Sequence, residues 1–140
     1  MNFLVFAVLS AVFAALTSIL AKIGIKDVNS NLATAIRTIV VTVFAWGIVA
    51  AQGTFKQMHE ISRTTLIFLV LSGLATGMSW LFYFRALQMG PASKVVPIDK
   101  LSLVLAVLLA AWILKERLTA GTIIGSALIT LGVLVMTILK

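Results

Sequence analysis

The feature that most constrains this chain is where its charges are missing. Runs without a charged residue cover residues 1–21, 38–55, 64–84, 101–114 and 118–139, which are 21, 18, 21, 14 and 22 residues long. A helix needs about 20 apolar residues to cross ~30 Å of hydrocarbon at ~1.5 Å per residue. Four runs reach that length unaided. The 14-residue run does so only if it is extended back through Lys100, Asp99 and Pro97 to about Val95, which places two charges inside a span. Such charge is costly and usually functional. The expected fold is an all-α membrane protein, a bundle of five transmembrane helices over about 3–25, 31–51, 64–88, 91–114 and 119–139. The whole of 1–140 then forms a single membrane domain.

Composition excludes the alternatives. The chain is 61% hydrophobic and 11% charged, against about 25% charge in a soluble domain, and it is too apolar for disorder. With no cysteine and one histidine, a disulfide framework, an iron–sulfur cluster or a Cys/His zinc site is excluded, and no metal or other cofactor is expected. The net charge of +7 comes from eleven basic residues lying singly between apolar runs. They form no basic stripe, so no nucleic-acid partner is expected. The first run lacks a basic leading region and exceeds the ~7–15-residue apolar stretch of a signal peptide, so it reads as a span.

The connections suit five helices. Residues 26–31 form a polar turn ending in good capping residues. The longest loop, from Gln52 to Arg63, carries Phe55, Met58 and Ile61, which suit an amphipathic turn on the membrane interface. Pro91 is placed to start the fourth helix and Thr119 to cap the fifth. Gly73 and Gly77, and Gly121, Gly125 and Gly132, have the spacing of close helix approaches.

Five spans put the termini on opposite faces. The N-terminal face carries Lys56, Arg63, Lys115 and Arg117; the other carries Lys22, Lys26, Arg85, Lys94 and Lys140. Orientation follows a clear Lys/Arg excess on one face. The two sets nearly balance, which is compatible with insertion in both directions and with pairing of inverted copies.

Arg37, Asp99 and Lys100 lie deeper, within about 5–6 Å of the middle of their helices. They are expected to face protein or a wet cavity. Lys22, Arg85 and Lys94 lie near helix ends, from which long basic side chains reach the headgroups. Neighbours at i and i+1 point about 100° apart, so Asp99 and Lys100 are poor partners for each other. Asp99 with Arg37 is the simplest compensation, leaving Lys100 to find an anion: a substrate group, a lipid phosphate or Asp99 of a second chain. Pro97 removes a helical hydrogen bond and is expected to kink the helix just before Asp99. On the third helix Trp80 and Phe84 share one face, and Ser79 and Tyr83 another. These aromatics suit an interfacial belt or a wall against which a solute stacks.

The segment Trp80-Leu-Phe-Tyr-Phe-Arg-Ala-Leu-Gln-Met-Gly-Pro-Ala-Ser-Lys-Val-Val-Pro97, followed by Leu114-Lys-Glu-Arg-Leu-Thr119, Gly125 and Gly132, resembles the EamA-type domain of the drug/metabolite transporter superfamily. In that family an aromatic-rich stretch ends the third helix and a proline interrupts the fourth. A Leu-x-Glu-Arg-Leu pattern closes the fourth helix, and a glycine-bearing helix follows. The resemblance implies a secondary transporter of small metabolites or drugs, multi-pass in a bacterial or archaeal inner membrane. It also implies a cavity lined by helices one, three and four. Most members join two inverted five-helix halves, whereas this chain is similar to one half and so implies a second copy as partner, most simply an antiparallel homodimer working by alternating access.

The residues expected to bind substrate or a coupling ion are therefore Arg37, Ser79, Trp80, Tyr83, Pro97, Asp99 and Lys100. Arg37 enters from its depth alone; Trp80, Tyr83, Pro97, Asp99 and Lys100 also match the family's cavity helices. Asp99 suits proton coupling. The alternative is a non-transporting membrane subunit, or an assembly factor binding anionic lipid. No catalytic residues and no enzyme activity are expected, because these groups offer no nucleophile–base pair, metal constellation or phosphate loop.

Overall fold

The computed structural model describes residues 2–138. Lys140, assigned above to the face away from the N-terminus, and Met1 and Leu139, the ends of the first and last runs, lie outside the described residues. All regular structure among these residues is helical: α1 (Phe3–Gly24), α2 (Ser30–Gln52), a 3-10 segment (Thr54–Glu60), α3 (Arg63–Met89), α4 (Ala92–Asp99), α5 (Leu101–Ile113) and α6 (Ala120–Ile138). Five stretches are long and apolar enough to cross a membrane, with α4 and α5 together making the fourth, Ala92–Ile113. The chain is a multi-pass, all-α membrane protein.

Local chemistry explains most boundaries. The Asn29 side chain accepts the amides of Asn31 and Leu32 at 2.9 and 3.4 Å and so starts α2. Ser62 and Thr119 do the same for α3 and α6 through the amides of Thr65 and Thr122, at 3.1 and 3.2 Å. Gly53 ends α2 in the left-handed region at φ 66°, where a side chain is disfavoured, and its amide bonds the Ala50 carbonyl. Lys115 takes the same conformation at φ 55° after α5. Mid-helix hydroxyls are satisfied within their own turns: those of Thr34, Thr38, Thr76, Thr130 and Thr137 each donate to a carbonyl four residues back.

The chain divides into two compact units. One comprises α1 as far as Ser18 together with α4, α5 and α6. There α6 packs against both α4 and α5, Val133 is buried, and Lys94 Nζ donates to the Thr137 carbonyl at 3.4 Å. The other runs from Ile19 to Met89, with α2 against α3 and a small core of Ala21, Ile25, Thr34, Phe84 and Leu87. Trp46 and Phe55 stack at 5.6 Å, folding the 3-10 segment back on α2.

Three expectations are corrected. The fourth helix breaks at Lys100, after Asp99, because the Lys100 amide is shared between the Val96 and Pro97 carbonyls at 3.3 and 3.1 Å and the turn tightens there. The glycine spacing does not mark close approaches among the described residues: a Cβ placed on Gly73, Gly77, Gly125 or Gly132 meets nothing within 4 Å, and one on Gly121 meets the capping hydroxyl of Thr119 at 3.8 Å. Lys22 and Lys94 are held at helix ends by the protein's own carbonyls, those of Leu87 at the end of α3 and Thr137 at the end of α6. Both sites are favourable for a cation, because the last carbonyls of a helix lack intrahelical donors and carry the negative end of its dipole.

Candidate functional site: a deep arginine among aromatic rings

Within the Ile19–Met89 unit, Arg37 lies eight residues into α2. Its Cζ sits 5.0 Å from the centre of the Trp80 ring and 4.8 Å from that of Phe84. Both distances fall within the ~6 Å reach of a cation–π contact. The contact forms because Trp80 and Phe84, four residues apart, project from one face of α3, and that face meets α2. Phe84 is 1% exposed, and Tyr83 packs against its ring edge-on, centroids 6.1 Å apart and planes at 79°. An arginine near the centre of a helix costs about 2.5–3.5 kcal/mol to insert. Two ring contacts, each worth about 0.5–2 kcal/mol, offset a large part of that.

Around this pair the polar groups are largely committed. Lys22 Nζ donates to the Leu87 carbonyl. Arg85 donates to Gln88 Oε1 at 3.0 Å, and Gln88 Nε2 to the Val28 carbonyl at 2.8 Å, tying the end of α3 to the turn before α2. Ser79 is exposed. Phe84 belongs to the site but is absent from the residues chosen from sequence. Its spacing from Trp80 was the available signal.

The other unit holds Pro97, Asp99 and Lys100 at the junction of α4 and α5. Lys100 Nζ lies 3.6 Å from Asp99 Oδ2, with the two side chains 52% and 33% exposed. This corrects the expectation that adjacent residues make poor partners. The 100° rule assumes continuous helix, and Lys100 sits in the break where a long flexible side chain can turn back. The pair is long and open to its surroundings, the kind of contact that holds its partners loosely. Beyond it, α5 and α6 border a cavity of about 380 Å³ lined almost wholly by apolar groups such as Val104, Leu108, Leu118 and Ile123. Among the described residues no group of three or more metal-ligating side chains occurs.

One unit thus holds a cation framed by rings and the other a carboxylate beside a lysine, each within a stretch long and apolar enough to cross a membrane. Residues 1–138 match the model of the EamA-like transporter family. An uncharacterized transporter in the cobO 3'region of a Sinorhizobium species is 47% identical over 132 residues, covering 94% of each chain. Two proteins named as probable 4-amino-4-deoxy-L-arabinose-phosphoundecaprenol flippase subunit ArnE are also similar. That of Serratia proteamaculans is 38% identical over 56% of this chain and 70% of its own, and that of Erwinia tasmaniensis 34% identical over 62% and 83%. No solved structure matches. With five apolar spans and a family match along nearly its whole length, this chain belongs to the EamA-like transporter family.

Proposed function

We propose that the chain is a secondary transporter carrying small metabolites or drugs across the inner membrane, working as an antiparallel homodimer by alternating access. The observation that carries this reading is the Arg37 guanidinium, seated eight residues inside a membrane helix against Trp80 and Phe84. A charge placed this far inside an apolar span marks a solute or ion path. Transport requires a site that opens to either face in turn. Asp99 supplies the coupling: it exchanges its loose contact with Lys100 for a proton or cation in one of the two states. The open glycine backbones of α3 and α6 support a second copy, since small-residue faces let helices approach closely and Gly73, Gly77, Gly125 and Gly132 meet no neighbour among the described residues. Asp99→Asn should abolish proton-driven uptake in proteoliposomes loaded with a metabolite mixture. Wild-type uptake by that variant would remove Asp99 from the coupling.

A second reading has its own support. Two relatives are named as subunits of a flippase for a phosphate-bearing lipid, so this chain would act as a membrane subunit gripping anionic lipid rather than moving a solute. It predicts thermal stabilisation by anionic phospholipid and by no member of a soluble metabolite panel. The transporter reading predicts stabilisation by at least one soluble metabolite.

A further inference from the structure

We infer that Arg37, framed by Trp80 and Phe84, is an oxyanion site that takes the carboxylate or phosphoryl group of an amphipathic ligand. This deepens the transporter reading and rests on it for the ligand's role, but the site's chemistry stands on its own geometry. A ring face attracts a cation without offering a lone pair, so contacts at 5.0 and 4.8 Å stabilise the guanidinium charge and leave its five N–H donors unused. Within the Ile19–Met89 unit, Arg37 is paired with neither a carboxylate nor a hydrogen-bond acceptor. The nearby hydroxyls of Thr34 and Thr38 donate to carbonyls of their own helix. Asp27 lies before the start of α2, whose first residue is about 10 Å from Arg37 along the axis.

A planar donor fork without an acceptor matches two oxygens of a carboxylate or phosphoryl group, which it binds bidentately. The approach from outside the ring pair is apolar: Val40 and Val41, one turn further along α2, are both exposed, as is Ile36. The ligand therefore carries hydrocarbon next to its anionic group. A lipid headgroup and a soluble alkyl anion share this chemistry.

The test uses the full chain in phosphatidylcholine nanodiscs, with Trp46→Phe and Trp112→Phe so that emission reports on Trp80. Hexyl phosphate should change that emission saturably, and hexyltrimethylammonium should not. Arg37→Lys keeps the charge but loses the fork and should weaken hexyl phosphate binding roughly tenfold; Arg37→Gln should abolish it. A second arm adds phosphatidylglycerol to the nanodiscs and counts the lipids retained by the protein in native mass spectrometry. Arg37-dependent binding of hexyl phosphate supports the site and assigns it to a soluble ligand, and Arg37-dependent retention of phosphatidylglycerol supports it and assigns it to a headgroup. Arg37→Gln protein that still melts cooperatively, binds hexyl phosphate and retains phosphatidylglycerol like the parent overturns the proposal. So does Arg37-dependent binding of the ammonium probe. Uptake measured on the same protein separates the two levels: Arg37-dependent binding without any flux removes transport alone, and flux without such binding removes the oxyanion site alone.

Discussion

Phe82 and Phe84 are two residues apart on one helix and chemically identical, yet Phe82 is 69% exposed and Phe84 1%. The difference follows from helical phase, since Phe84 shares its face with Trp80 and Leu87 while Phe82 points elsewhere. Phe84→Ala removes a buried ring and one of the two supports of Arg37, and should lower stability by about 3 kcal/mol; Phe82→Ala should change it by less than about 0.5 kcal/mol. Thermal unfolding of both variants in the same detergent checks the contrast, and equal losses would contradict the burial of Phe84. At this scale the sequence exposes costs more readily than remedies. An arginine inside an apolar run announces itself because hydrocarbon has nothing to solvate it, and the shared face of Trp80 and Phe84 follows from their spacing. That this face meets α2 at Arg37 is a long-range contact with no periodic signature. Ser79, chosen from the same stretch, is exposed.

Helix ends show where local rules suffice and where they fail. Asn29 and Thr119 cap as their residue types suggest, and most of the described part of each uncharged run is helical because in hydrocarbon the backbone must satisfy its own hydrogen bonds. Two features of the stretch from α4 to α6 follow no such rule. The break at Lys100 comes one residue later than the proline alone suggests, because Pro97 removes a bond behind it and the chain recovers by sharing the Lys100 amide between two carbonyls. Lys115 occupies the left-handed conformation that glycine usually supplies, while the Glu116 amide reaches back to the Ala110 carbonyl at 3.3 Å. A lysine there carries no turn signal in sequence, and it costs about 1 kcal/mol relative to glycine. Lys115→Gly should therefore raise stability by about 1 kcal/mol, and Gly53→Ala, at the matching end of α2, should lower it by a similar amount. Paired denaturation curves test the two together. Changes of the same sign would show that the left-handed termini are not what sets these energies.

For the whole molecule, charge is the only topological information that hydrocarbon leaves in a sequence, and here it is nearly symmetric: four basic residues on the N-terminal face against five on the other, with Lys140 among the five. Insertion follows the excess of Lys and Arg in short loops, so a balance this close gives neither direction a large advantage. The structure adds a reason why the two sets are unequal in effect. Lys22 and Lys94 are held by carbonyls at the ends of α3 and α6, and so serve helix termini as well as orientation. Removing those two from the comparison leaves the far face with Lys26, Arg85 and Lys140, three against four. The tie persists with its sign reversed. A reporter fused to the C-terminus and active on one side only, paired with a second reporter active on the other, should thus give signal from both sides of the membrane. Moving a single charge should then shift the ratio strongly, because a balanced system responds most steeply to a small bias. Lys56→Gln, in the 3-10 segment, removes one cation from the N-terminal face, and Lys26→Gln removes one from the other. The two should displace the ratio in opposite directions. Signal from one side alone, unmoved by either substitution, would mean that folding rather than loop charge sets the orientation, and the antiparallel pair would lose its basis.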